Sequence, residues 1–363
     1  MGLLTYNKTI AHNRFRRPHY PRFVTYIITY RCNMHCVMCT IPSLKSSEEL
    51  DLHQIQAIFS QLKGLDAVRI TGGEPFIRRD LPDVVNVILR SAHPKRVIIS
   101  TNALLGDRIT DTVKHVHSPH RMHFEISLDG IGDEHDLVRG GKGAFQEAMN
   151  TLHRVSELRM QKGFNVNVSQ VIMDEKGFIT YFELQALLDP LGIDIYPVIA
   201  YDANTALYSK KNRITDPADA YLYNAHFKGK LRDFLLTLIR KDSYRERGTW
   251  MAKRYYLMGI YHRLINGVDM PNPRCIALYS HLRINPDGTV PVCMHNSHIV
   301  GNLSANGFEE VWFGKKIKPQ REWVNMCPGC WVGCEIIPNG IYTGDIWRSL
   351  RLRDIGKFFR SPK

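Results

Sequence analysis

Between residues 23 and 200 two patterns of apolar and polar positions alternate along the chain. Short runs rich in β-branched and aromatic residues (Phe23–Tyr30, Ala67–Thr71, Arg96–Thr101, His123–Leu128, Asn165–Met173 and Asp194–Ala200) read as strands. Amphipathic stretches near residues 51–63, 80–92, 106–117, 143–160 and 177–188 read as the helices between them. The β-α repeat predicts an α/β fold: a parallel sheet with helices outside it, open or partly closed as a barrel. In such folds ligands sit at the C-terminal ends of the strands. A further helical stretch opens at Asp216-Pro217 and contains Leu231–Ile239 and Tyr255–Ile265, which would pack on the barrel or cover its mouth. From Pro271 onward prolines and glycines punctuate a small irregular region, and Asn285-Pro286-Asp287-Gly288 predicts a turn between two short strands. The expected organisation is an extension over 1–22, a core over 23–200, a helical connector over 201–270, a small cysteine-bearing domain over 271–336 and a basic tail over 337–363.

Composition narrows the class. With 363 residues, 44 % hydrophobic and 23 % charged, the chain can bury a sizeable core, and wholesale disorder is excluded. It has no run of 18 apolar residues, and its first 22 residues lack the apolar segment of a signal peptide, so a cytoplasmic protein is expected. A net charge of +13 favours anionic partners without choosing among them. No arginine-rich tract marks a nucleic-acid arm. Behind Asp345, residues 346–360 read as a basic amphipathic helix, docked on the barrel or lying on an anionic membrane surface.

The cysteines decide more. Cys32, Cys36 and Cys39 sit within eight residues; Cys275, Cys293, Cys327, Cys330 and Cys334 fall in the last quarter; residues 40–274 have none. A secreted disulfide framework would be smaller and denser in cysteine, so the clustering points to metal. The first set is C-x3-C-x2-C. Three thiolates in one loop can hold three corners of a cubane iron–sulfur cluster and leave one iron open to another molecule. Zinc would need a fourth ligand, and His35 fits poorly inside so short a loop.

A C-x3-C-x2-C loop after the first strand of a partial (β/α)6 barrel resembles the radical S-adenosylmethionine (SAM) superfamily. The resemblance implies that Cys32, Cys36 and Cys39 hold a 4Fe–4S cluster whose open iron chelates S-adenosyl-L-methionine, and that one electron cleaves it to methionine and a 5′-deoxyadenosyl radical. The family usually has an aromatic residue before the third cysteine; Met38 stands there and can offer soft, apolar contact to adenine. Thr71-Gly72-Gly73-Glu74-Pro75 resembles the family segment that binds the SAM amino group. Asn102 ends the third strand at the expected place. Ser127-Leu128-Asp129-Gly130, then His135-Asp136 and Arg139-Gly140, resembles a run of the SPASM/twitch subgroup. By that analogy Ser127 reaches the ribose, Arg139 the SAM carboxylate, and Gln170 with Val171 the adenosyl moiety.

The spacing from Cys275 to Cys293, and then Cys327, Cys330 and Cys334, is similar to SPASM and twitch domains. That resemblance implies one auxiliary 4Fe–4S cluster. Cys275 and Cys293 are the firmer ligands, and which of Cys327, Cys330 and Cys334 is spare stays open, as does a three-cysteine cluster with an open iron. A zinc ribbon would use C-x2-C equally well. The expected activity is oxidation or rearrangement of a substrate by hydrogen abstraction, with the auxiliary cluster as electron acceptor or substrate anchor. Expected partners are a reductant such as flavodoxin or ferredoxin and a substrate that is a peptide or an anionic small molecule or glycan. The alternatives are a non-catalytic iron–sulfur carrier or scaffold and a zinc-dependent nucleic-acid module.

Overall fold

A computed structural model describes residues 2–41, 44, 48–200, 228–240 and 247–349. The six expected strands form: β1 (Phe23–Thr29), β2 (Ala67–Gly72), β3 (Arg96–Thr101), β4 (Met122–Ser127), β5 (Asn165–Ile172) and β6 (Asp194–Ile199). They pair in parallel, each with its sequence neighbour. Their period-two pattern explains the layering. Val68 and Ile70, Val97 and Ile99, and Phe124 and Ile126 face outward into one apolar core shared with the helices, which leaves the alternate positions facing the lumen. The helices begin where local chemistry allows. Asp51 and Gln54 form a reciprocal capping box before Leu52–Ser60.

Three features went unread in the sequence. A seventh strand, β7 (His281–Ile284), joins the same sheet beside β1 in parallel register, Phe23 opposite His281. The turn at Asn285–Gly288 forms, with the Asn285 amide donating to the Thr289 carbonyl, but it does not make a hairpin. The strands it links lie in different sheets, because β8 (Thr289–Cys293) pairs antiparallel with β9 (Asn296–Asn302). Second, residues 3–14 form a helix whose Asn13 amide donates to the Tyr342 carbonyl, tying the N-terminal extension to the helix Gly333–Thr343. Third, the C-terminal cysteine region shares the main apolar core. Trp312, Trp331, Phe308 and Ile336 are at most 1 % exposed and belong to the main apolar cluster.

The helices Lys228–Arg240 and Arg247–Ile260 form in the connector, while Asp216-Pro217 lies outside the described residues. Of the expected basic C-terminal helix, a short 3-10 turn at Asp345–Ser349 is described and the rest lies outside. The Asp345 carboxylate accepts a hydrogen bond from the Tyr255 hydroxyl. Among the described residues no helix is long and apolar enough to cross a membrane.

Candidate functional site

The loop after β1 carries Cys32, Cys36 and Cys39 to the C-terminal ends of the strands, where they line a cavity of about 360 Å³. Gly72, Gly73, Glu74, Asn102, Ser127 and Arg139 line the same cavity, with Thr71, Ser100, Val171, Val198 and Ala200 at the strand ends. Pro75, Asp129 and Gln170, expected at this site, are not in its lining. Strand parity explains Gln170. It is fully buried on the helix-facing side of β5, where its amide donates to the Gly177 carbonyl, and its neighbour Val171 takes the lumen side. Asp129 acts one layer behind, and Pro75 is buried in a short 3-10 turn.

The Gly-Gly pair has a physical reason other than access for a ligand. At Gly72 (φ +147°) an added Cβ would lie 2.1 Å from the Thr29 carbonyl oxygen, and at Gly73 2.0 Å from that of Arg31. The β2 loop therefore packs backbone to backbone against the start of the cysteine loop, and only glycine permits it. Glu74, 1 % exposed, receives three hydrogen bonds, from the Phe76 amide, the Thr101 hydroxyl and the Asn102 amide. Burial raises its pKa to about 7, against the opposing pull of those donors. Its carboxylate thus joins β2 to β3 while bordering the cavity. Asn102 in turn donates to the Asn33 side chain, inside the cysteine loop.

Behind Ser127, the remaining motif builds the mount for Arg139. The Asp129 amide donates to His135 Nδ1, and the Asp136 carboxylate accepts from the Phe145 amide. One Asp129 oxygen accepts from the Val171 amide, and the other lies 2.7 Å from Arg139 Nε. The Arg139 side chain is 11 % exposed and reaches Cys36 Sγ at 3.6 Å. Gly140 (φ +71°) lets the chain press on the cysteine loop, since a Cβ there would lie 2.6 Å from the His35 carbonyl oxygen. The Val37 amide donates to the Val138 carbonyl across the same seam.

A second cavity lies in the C-terminal region. Cys275, Cys293, Cys327 and Cys330 line it together, with His295, Glu335 and Asn339. Cys334, on the first turn of the helix Gly333–Thr343, is absent from that lining, and its thiol contacts Met294 Sδ at 3.2 Å. Burial pushes Cys275 up to about 12 and raises Cys293 and Cys330 well above an ordinary thiol. Glu335 is held by His281 at 3.1 Å and Arg283 at 2.6 Å. Burial opposes its charge, but these two partners outweigh that and hold its pKa below the usual carboxylate range. Among the described residues both buried ring nitrogens of His295 lack a partner. His295 was missed in the sequence, although it stands only two residues beyond Cys293.

Both donor sets, three thiols around one cavity and four around the other, have the chemistry of iron–sulfur ligation. Among the described residues no three His, Cys, Asp or Glu side chains converge closely enough to hold one metal ion. The thiols surround a volume instead. Burial also raises Cys32 to about 11 and Cys39 above its ordinary value. Thiols buried in this way stay protonated unless a bound cation or cluster compensates the thiolate charge, and among the described residues the His295 nitrogens have no partner in the second cavity.

The model of the radical SAM superfamily matches residues 26–174, and that of the SPASM iron–sulfur cluster-binding domain matches residues 275–331. The mycofactocin maturase MftC of Mycolicibacterium smegmatis is 28 % identical over 306 residues, covering 80 % of this chain and 70 % of that one. The Fe-coproporphyrin III synthase of Methanosarcina barkeri is 31 % identical over 151 residues, covering 40 % of this chain and only 37 % of that one. Among solved structures, Streptococcus suis SuiB bound to its precursor peptide SuiA shares the fold with a TM-score of 0.60 at 16 % identity, over 89 % of this chain and 71 % of that one. The structure of anSMEcpe with bound AdoMet gives 0.57 at 14 % identity, over 93 % and 94 %.

Proposed function

The chain belongs to the radical SAM superfamily and carries a SPASM domain, and from that premise we propose that it is a peptide maturase that cleaves S-adenosyl-L-methionine and abstracts a hydrogen atom from a peptide. The observation that carries this reading is the convergence, around one cavity, of three thiols from one loop with the guanidinium of Arg139. Cys32, Cys36 and Cys39 would hold the SAM-cleaving 4Fe–4S cluster. Cys275, Cys293, Cys327 and Cys330 would hold one auxiliary 4Fe–4S cluster, with Cys334 the spare. When bound, the first cluster would supply the electron that cleaves SAM to the radical taking the substrate hydrogen, and the second would accept the electron left behind.

The chain's own residues bind and orient. Arg139, braced by Asp129, presents a guanidinium fork suited to the SAM carboxylate. The Gly72–Glu74 backbone borders the cavity where an ammonium would sit, and Ser127 and Asn102 offer hydroxyl and amide contacts. Met38, Val171 and Val198 give an apolar surface for adenine. The peptide substrate is supported by the mycofactocin maturase relative and by the SuiB structure, which contains a precursor peptide. A flavodoxin or ferredoxin would deliver the electron in the cytoplasm.

The test is release of 5′-deoxyadenosine when anaerobically reconstituted protein receives SAM and dithionite. An iron–sulfur carrier would release none.

A further inference from the structure

One layer below the cavity, the barrel lumen holds charges that SAM binding leaves unused. Arg69, Glu125 and Tyr196 stand two positions before the cavity-lining residues Thr71, Ser127 and Val198. Alternation puts each pair on the same face of the sheet, about 7 Å apart along its strand. Arg69 Nη2 lies 3.3 Å from Glu125 Oε1, and the hydroxyl of cavity-lining Ser100 donates to Glu125 Oε2 at 3.1 Å. The Arg69 and Glu125 side chains keep 18 % and 25 % of their surface accessible, although β2 and β4 are inner strands of the sheet. They therefore face open lumen. Lys253, from the helix Arg247–Ile260, enters the same layer with its ammonium 4.1 Å from the Tyr196 ring centroid. Among the described residues that ammonium has no hydrogen bond and no carboxylate within ion-pair distance, and Arg69 Nε is buried without an acceptor. Deeper still, Phe23, Ile276 and Tyr342 cluster with Ala67 and Ile98 and close the lumen with apolar packing. Among the described residues Arg69 and Lys253 set two cations against the one carboxylate of Glu125, while Arg283, level with Arg69 across Thr25, is paired with Glu335 at 2.6 Å.

We propose that Lys253 and Arg69 bind a carboxylate of the substrate, with Glu125 holding Arg69 in place, so that the enzyme selects a peptide presenting an acidic group to the lumen floor. This rests on the radical SAM reading of the cavity above. A carboxylate held there would direct the chain that carries it up the roughly 7 Å to the cavity lining, where SAM would bind. The electrostatics agree. Burial lowers Lys253 to about 8 while nearby Glu125 pulls the other way, so the cation is only partly compensated. Glu125 itself is held at about 2, because Arg69, His123, Lys253 and Ser100 outweigh the cost of its burial, and it cannot serve as a proton-bearing partner near neutral pH.

The chemistry fits a side-chain or a terminal carboxylate, and the test separates them. Two probe pairs are used with the reconstituted, SAM-loaded enzyme: acetyl-Ala-Glu-Ala-amide against acetyl-Ala-Gln-Ala-amide, and acetyl-Ala-Ala-Ala with a free against an amidated C-terminus. Calorimetry should show one acid binding roughly tenfold or more tighter than its amide, as a charge-assisted contact implies. The winning pair identifies the source of the carboxylate. Lys253→Gln should abolish the advantage and Lys253→Arg keep it, with SAM affinity and iron content unchanged in both. Acids and amides binding alike in the wild type, or an advantage that survives both Lys253→Gln and Arg69→Gln, would overturn the proposal. Absence of 5′-deoxyadenosine in the wild type would count against the SAM reading alone, because the acid-over-amide preference is read by binding.

Discussion

Cys32, Cys36 and Cys39 occupy one loop, whereas Cys275, Cys293 and the Cys327–Cys330 loop are three separate segments that meet around a second cavity. The first cavity is framed by parts that hold without the thiols. Gly72, Gly73 and Gly140 press backbone on backbone, Glu74 ties β2 to β3, and Asp129 braces Arg139. It keeps about 360 Å³ of space beside its cysteines. In the second cavity the cysteine-bearing segments are themselves the lining, and a group bound there would cross-link them. The contrast follows the general difference between metal sites that keep an open position for chemistry and those that close around the metal. Loss of the bound group should therefore silence the first site and loosen the second.

The largest expected effect breaks the first half of that contrast. Replacing Cys32, Cys36 and Cys39 together by Ala should eliminate 5′-deoxyadenosine production, while the melting temperature stays within a few degrees of wild type. A large loss of stability would show that the frame depends on the thiols after all.

Next in size, Cys293→Ala should remove about four irons per chain, as loss of a cubane requires, and lower the denaturation midpoint while SAM cleavage persists. Cys334→Ala should keep its iron, because that thiol faces Met294 and not the cavity. Equal iron loss in the two variants would contradict the four-ligand set. The destabilisation should concentrate in the Cys327–Cys330 loop, readable by hydrogen exchange, since Trp312 and Trp331 anchor the rest of the region to the main core.

Arg139→Ala sharpens the description of the open site. SAM affinity should fall by the worth of a charge-assisted hydrogen bond, on the order of 1.5–3 kcal/mol, with iron content unchanged. Calorimetry with SAM reads the first, and iron analysis the second.

The smallest effect concerns acid. Glu125 is held at about 2, below its ordinary 4.5. The stability it contributes is fully present above about 4.5 and is lost as pH falls toward about 2, because the unfolded chain takes up the proton first. Denaturation midpoints at pH 5 and pH 3 should therefore differ less in Glu125→Gln than in wild type.

The sequence was most legible where one periodicity decides the outcome. Alternating runs located β1 to β6, and the spacing of Cys32, Cys36, Cys39, Gly72 to Glu74 and Arg139 marked residues that meet at one cavity. Parity along a strand was harder to use. Gln170 and Val171 look interchangeable in sequence, yet a single step in register sends one to the helices and the other to the cavity. Long-range pairing left no local signal. Nothing within His281–Ile284 says that it will lie beside Phe23–Tyr26, and so the turn at Asn285 reads as a hairpin. Cys327, Cys330 and Cys334 are equivalent by spacing, and it is the helix starting at Gly333 that turns Cys334 away.

The central claim, two clusters in two differently built cavities, is tested most directly by Mössbauer spectroscopy with iron analysis on the reconstituted wild type and the Cys32, Cys36, Cys39 triple Ala variant. The account predicts about eight irons per wild-type chain and about four in the variant, all in cubane clusters. About four irons in the wild type and none in the variant, or stoichiometric zinc in the second cavity, would contradict it.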